Sequence, residues 1–167
     1  HAALRDLHSF PTRRSSDLTA GAQWHAFIWD SVNGMQDLGT LGGASSEAYA
    51  INNAGEVAGF SETGSGIQAF VHSGGVMTAV PGTGAFAQSG AFDINDSGHL
   101  VGILLTAGGD SVAFKYAGGL VNLGSPLLAG SEAWLINSHG VIAGHSWGTT
   151  QYRDRKSTRL NSSHRIR

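Results

Sequence analysis

Ile51-Asn52-Asn53-Ala54-Gly55, Ile94-Asn95-Asp96-Ser97-Gly98 and Ile136-Asn137-Ser138-His139-Gly140 are three versions of one phrase. Each follows an Ala-Phe pair: Ala26-Phe27, Ala69-Phe70 and Ala113-Phe114. Successive isoleucines are 43 and 42 residues apart, and successive alanines 43 and 44. A fixed period of this size marks a repeat architecture and decides the fold before any single residue does.

Working outward from the phrase, each copy reads as four short strands. In the first copy His25-Ala26-Phe27-Ile28-Trp29 combines aromatic and branched side chains that suit a pleated surface. Asn33-Gly34 signals a tight turn, residues 35–41 a second strand, Ala48-Tyr49-Ala50-Ile51 a third and Glu56-Val57-Ala58-Gly59-Phe60 a fourth. The later copies follow the same plan, with turns at Gly74-Gly75 and Gly118-Gly119 and fourth strands at Leu100-Val101-Gly102-Ile103 and Val141-Ile142-Ala143-Gly144. No segment carries a sustained 3.6-residue apolar period, and 25 glycines weigh against helices. The expected fold is all-β, with β-propeller-like four-stranded blades, about three in this chain; a β-solenoid or an open stack of antiparallel sheets is the alternative.

The phrase itself is a turn. Asparagine side chains hydrogen-bond nearby backbone, and glycine accepts the positive φ that ends a type I turn. Asn52, Asn95 and Asn137, with Gly55, Gly98 and Gly140, are therefore expected to join strands three and four of each copy. Phe27, Phe70 and Phe114, with Ile51, Ile94 and Ile136, are the expected repeat core. Gly59, Gly102 and Gly144 recur inside fourth strands, where a glycine marks a crowded backbone position. Asn95-Asp96 offers oxygens for Ca²⁺, but the spaced carboxylates of a calcium loop are missing.

The ends differ from the middle. All 25 glycines and only two of the ten Lys/Arg residues fall within residues 19–153. Residues 6–18 and 154–164 read as translated sequencing-library adapters, one at each end. Residues 1–18 and 154–167 are therefore expected to be non-native and disordered, leaving residues 19–153 as a three-repeat fragment (about 19–66, 67–111 and 112–152). Residues 19–24, 61–68 and 145–152 read as loops leading into first strands.

The repeat region carries nine acidic residues against Lys115 and Arg153, a formal charge of −7 where the whole chain has −2. Such a surface lacks the clustered Lys/Arg that phosphate backbones require, so no nucleic acid is expected as partner. Cysteine is absent, which excludes a disulfide framework and thiol chemistry. No run of 18 apolar residues suggests a membrane-spanning helix.

The segment His25-Ala26-Phe27-Ile28-Trp29-Asp30, with Asp37-Leu38-Gly39-Thr40-Leu41-Gly42-Gly43 and the run from Ser46 to Gly59, resembles the bacterial HAF repeat, a probable extracellular repeat. The likeness weakens later: Gln68 and Val112 stand where the first copy has His25. The resemblance implies an extracellular or cell-surface protein and supplies no catalytic residues.

Chemistry is hard to find. His25, His72, His99, His139 and His145 show no metal-ligand spacing. Glu47 and Glu132 are equivalent, with Gly90 between them, and read as structural hydrogen-bonding residues rather than an acid–base pair. No cofactor or catalytic residue is expected. The expected function is a non-enzymatic interaction scaffold for a protein or glycan, with possible self-association through open blade edges; a propeller-enzyme fragment or a purely architectural domain are the alternatives.

Overall fold

The computed structural model describes residues 23–125 and 127–148; both adapter-like segments lie outside them. Twelve strands run in order: β1 Phe27–Asp30, β2 Gly34–Asp37, β3 Ser46–Ile51, β4 Val57–Thr63, β5 Gly66–Ser73, β6 Val76–Ala79, β7 Gln88–Ile94, β8 Leu100–Leu105, β9 Ser111–Tyr116, β10 Leu120–Gly124, β11 Leu128–Ile136 and β12 Ile142–Gly148. The only helical element among the described residues is a 3₁₀ turn at Thr83–Ala85. All pairing is antiparallel. The fold is all-β, as its composition implies.

Sheet membership departs from the sequence reading. The four-stranded sheets are β3-β4-β5-β6 and β7-β8-β9-β10, flanked by the two-stranded β1-β2 and β11-β12; none is closed. Each full sheet thus takes strands three and four from one copy and strands one and two from the next. In the first full sheet the join is a short turn; in the second, β8 reaches β9 across residues 106–110 while β10 and β11, separated by residues 125–127, lie in different sheets. Residues 61–68, expected as a loop, form a hairpin in which Thr63 faces Gly66 across two residues. Strands two and three of the first copy are instead separated by residues 38–45, which form no strand, although Gly43 and Ser45 exchange backbone hydrogen bonds with Glu62. Likewise β12 runs on to Gly148, through part of the expected loop at 145–152.

The turns follow local chemistry. Gly74 and Gly75, at φ 59° and 84°, make the two-residue link between β5 and β6. At the repeat phrase, Gly55, Gly98 and Gly140 each donate N–H to the carbonyl of Asn52, Asn95 and Asn137, at 3.0, 2.9 and 2.9 Å. All three glycines have φ between 72° and 79°, so the hairpin reading of Ile-Asn-x-x-Gly holds.

Three apolar interfaces hold four sheets together. Ala26, Leu38, Val57 and Phe70 fill the first, between β1-β2 and the β3–β6 sheet. Ala58, Ala69, Val80, Ile94, Leu100 and Phe114 dominate the second. Val101, Ala113, Ala133 and Ile136 form the third, against β11-β12. Phe70, Phe114, Ile94 and Ile136 are buried as expected, but Phe27 and Ile51 are 53% and 57% exposed and are not core residues here. The repeat makes these positions apolar, but only a preceding sheet buries them. Phe70 lies against β1-β2, and among the described residues no sheet precedes β1.

The strand glycines sit where backbones nearly touch. A Cβ on Gly59, Gly102 or Gly144 would come within 1.9–2.0 Å of the carbonyl oxygen of Glu47, Gly90 or Glu132. Each of those carbonyls lies just before a register shift in the neighbouring strand. Because the obstacle is backbone rather than a flexible side chain, Gly102→Ala should cost about 3 kcal/mol or more, read as a lowered urea midpoint. Gly109→Ala, at a turn with open space around it, should cost roughly 1 kcal/mol from its positive φ alone.

Candidate interaction face: a bulge-borne aromatic row

Strands β3, β7 and β11 each stand first in their sheet, and β7 touches both of the others. Each pairs with the next strand through a register shift: between Ala48 and Ala50, Ala91 and Asp93, and Ala133 and Leu135. The residue left over is Tyr49, Phe92 or Trp134. A bulge inserts one unpaired residue and re-aims its side chain, here always an aromatic one.

These rings meet across sheet boundaries. Tyr49 and Phe92 lie 5.6 Å apart edge to face, and Phe92 stacks on Trp134 at 4.3 Å with 10° between planes. The row continues from Trp134 to the His145 ring at 6.2 Å and on to Trp147 at 5.6 Å, while Tyr49 also meets Phe60 at 5.6 Å. Tyr49 is 45% exposed; Phe92, Trp134 and Trp147 are half-buried. Tyr49 donates a long hydrogen bond to Glu47 at 3.4 Å. Burial, reinforced by the Glu47 carboxylate, pushes its phenol up to about 12, so it stays a neutral donor. At the other end Glu132 is buried, with the His145 Nε2 3.5 Å from its carboxylate.

The asparagines bind the sheets beside this row. Asn52 Oδ1 accepts the N–H groups of Ala54 and Glu56, at 3.1 and 2.9 Å. Asn95 does the same for Ser97 and His99, and Asn137 for His139 and Val141. The amide nitrogens reach outward: Asn52 Nδ2 donates to the Asn95 carbonyl and Asn95 Nδ2 to the Asn137 carbonyl, both at 3.0 Å. Beside them Asn53 donates its backbone N–H and Nδ2 to Asp96, at 2.9 and 2.8 Å. These bonds hold the exposed Asp96 carboxyl below the usual carboxylate range, the backbone bond contributing most. Asp93 likewise accepts the Ile136 N–H at 2.7 Å.

Ser46, Ser89 and Ser131, all buried, accept the N–H of Ala26, Ala69 and Ala113 at 2.9–3.0 Å and so tie each sheet to the one before. Sequence reading missed both these serines and the aromatic row, although Ser46-Glu47-Ala48-Tyr49, Ser89-Gly90-Ala91-Phe92 and Ser131-Glu132-Ala133-Trp134 repeat in plain sight. His25 bonds Asp37 at 2.7 Å. The Gly39 N–H first, and then His25, lower the Asp37 carboxyl. His139 and His145 are not brought together with a third ligand: among the described residues no three His, Asp or Glu side chains form a group that could hold a metal ion. Nor is any described helix long and apolar enough to cross a membrane.

Removing Asn95 strips its own hairpin and one inter-sheet bond, so Asn95→Ala should cost about 2 kcal/mol, and the more exposed Asn137→Ala roughly half as much, by urea unfolding. Asp96 adds an acid-sensitive component. Because its folded pKa is lowered, its contribution is complete above the unfolded value of about 4 and is lost as pH falls through the lower folded value. Asp96→Asn should remove that part of the acid dependence of the urea midpoint. No family model, no curated protein and no solved structure matches this chain.

Proposed function

We propose that the chain is part of an extracellular or cell-surface scaffold of HAF type, non-enzymatic, that presents its aromatic row to a protein or glycan. In this reading the four-stranded sheets are arranged as propeller blades, and β3, β7 and β11 are their first strands. The observation that carries the proposal is the row of Tyr49, Phe92 and Trp134, built from one position in successive repeats and extended through His145 to Trp147 on β12. Rigid aromatic side chains supply large contact area at low entropic cost and dominate interaction hot spots. The row is flanked by Glu47, a partly exposed carboxylate that suits hydroxyl and amide donors of a sugar or a peptide, while Glu132 is buried beside His145. The acidic balance of the repeat region favours neutral or basic partners over nucleic acid. The open edges at both ends provide a second mode of contact, with other strands.

The test is binding of the chain to glycan and protein arrays, followed by titration of any hit. Tyr49→Ala and Trp134→Ala should each weaken binding roughly tenfold or more, with Val76→Ala, on another surface, as the neutral control. Binding that survives both aromatic substitutions would refute the proposal.

A further inference from the structure

The two half-sheets at the ends are complementary halves of one sheet. In the complete sheets, β4 pairs with β5 so that Gly59 faces Phe70, and β8 pairs with β9 so that Gly102 faces Phe114. The β11-β12 pair corresponds to the first two strands of such a sheet and β1-β2 to the last two. Among the described residues nothing pairs with the free edge of β12 or of β1.

Side chains at the two ends match as knob and hole. Each complete interface seats one phenylalanine. Phe70 takes Ala26, Leu38, Val57 and Gly59; Phe114 takes the equivalent Ala69, Val80, Leu100 and Gly102. The equivalent residues at the last interface are Ala113, Leu123, Ile142 and Gly144. All four line an open surface depression of about 210 Å³, with His145 at its border. Leu123 is 41% exposed there, whereas Leu38 and Val80 are 8% and 1% exposed. The matching knob is Phe27, 53% exposed where Phe70 and Phe114 are fully buried. Beside it, between β1 and β3, lies a cleft of about 640 Å³ lined by Ala26, Phe27, Ile28, Tyr49, Ile51 and Val57 among others, the space a pair of first strands would fill. Exposed large hydrophobics follow the same division. Among the described residues all but Val76 lie in the β1–β3 region or beyond β9.

We infer that this chain associates head to tail with a second copy, the β1-β2 hairpin of one completing the sheet begun by β11-β12 of the other, with Phe27 seated over Gly144. The register follows from the complete sheets: Gly144 opposite Phe27, Ala143 opposite Ile28 and Ile142 opposite Trp29. The asparagine ladder then extends from Asn137 toward the Asn52 carbonyl of the second copy. The interface is heterologous, so it closes into a ring or grows by whole chains.

The native chain has no cysteine, which permits an unambiguous test. Directly opposed antiparallel residues lie within disulfide reach. Mixing an Ala143→Cys chain with an Ile28→Cys chain under mild oxidation should therefore give a covalent dimer. Replacing the second partner by Val76→Cys, on the outer strand of a complete sheet, should not. Adding Phe27→Lys to the Ile28→Cys chain should lower the cross-linking rate roughly tenfold or more. Because Phe27 is exposed, that substitution should leave the circular dichroism of the chain unchanged. Sedimentation of the unmodified chain should show association that Phe27→Lys abolishes. A monomer at micromolar concentration, cross-linking no better than the Val76→Cys control, or cross-linking indifferent to Phe27→Lys would each overturn the inference. The monomer result would leave these edges to another occupant, such as a further repeat of the same polypeptide.

Discussion

Each repeat turns on an asparagine that works in two directions. Its Oδ1 gathers two N–H groups of its own hairpin, which would otherwise be unpaired in a tight turn, and in Asn52 and Asn95 its Nδ2 reaches the equivalent carbonyl one repeat on. Closing the hairpin and docking it to its neighbour are therefore one act. A hairpin that closes differently would aim the amide elsewhere and lose the inter-sheet bond, and a sheet that shifts would strand a partly buried amide. The serine bonds from Ser46, Ser89 and Ser131 repeat this logic on the same strands, before the bulge.

Such coupling suits an architecture in which no sheet is stable alone. Each sheet has two apolar faces and needs a neighbour on both, so stability accumulates interface by interface. The contrast between Phe27 and its equivalents Phe70 and Phe114 displays this directly: the same residue in the same strand position is half exposed in one place and fully buried in two. Burial at these positions is a property of the neighbouring sheet rather than of the residue.

The bulges connect architecture to surface. Gly59, Gly102 and Gly144 let the fourth strand approach the displaced carbonyl before each bulge, and the bulge in turn aims Tyr49, Phe92 or Trp134 into the row. Ring identity varies while position does not. The backbone device is thus shared by all copies, and the chemistry it presents differs along the row, which is how a repeat can vary its contacts without disturbing its fold.

The sequence by itself determined the all-β class, the middle of most strands, the hairpin at each Ile-Asn-x-x-Gly and the crowding at each strand glycine. These depend on interactions within a few residues or on a period that a linear reading exposes. Only the tertiary structure decided which strands share a sheet: β4 and β5 pair across two residues, yet β8 and β9 pair across residues 106–110 while β10 and β11, separated by residues 125–127, lie in different sheets, so connection length does not record the outcome. It alone decided that Phe27 and Ile51 lie outside the core, and that Tyr49, Phe92 and Trp134 meet. Those outcomes require residues some forty positions apart to be stacked by sheet packing, and no local propensity records which face a neighbouring sheet will cover.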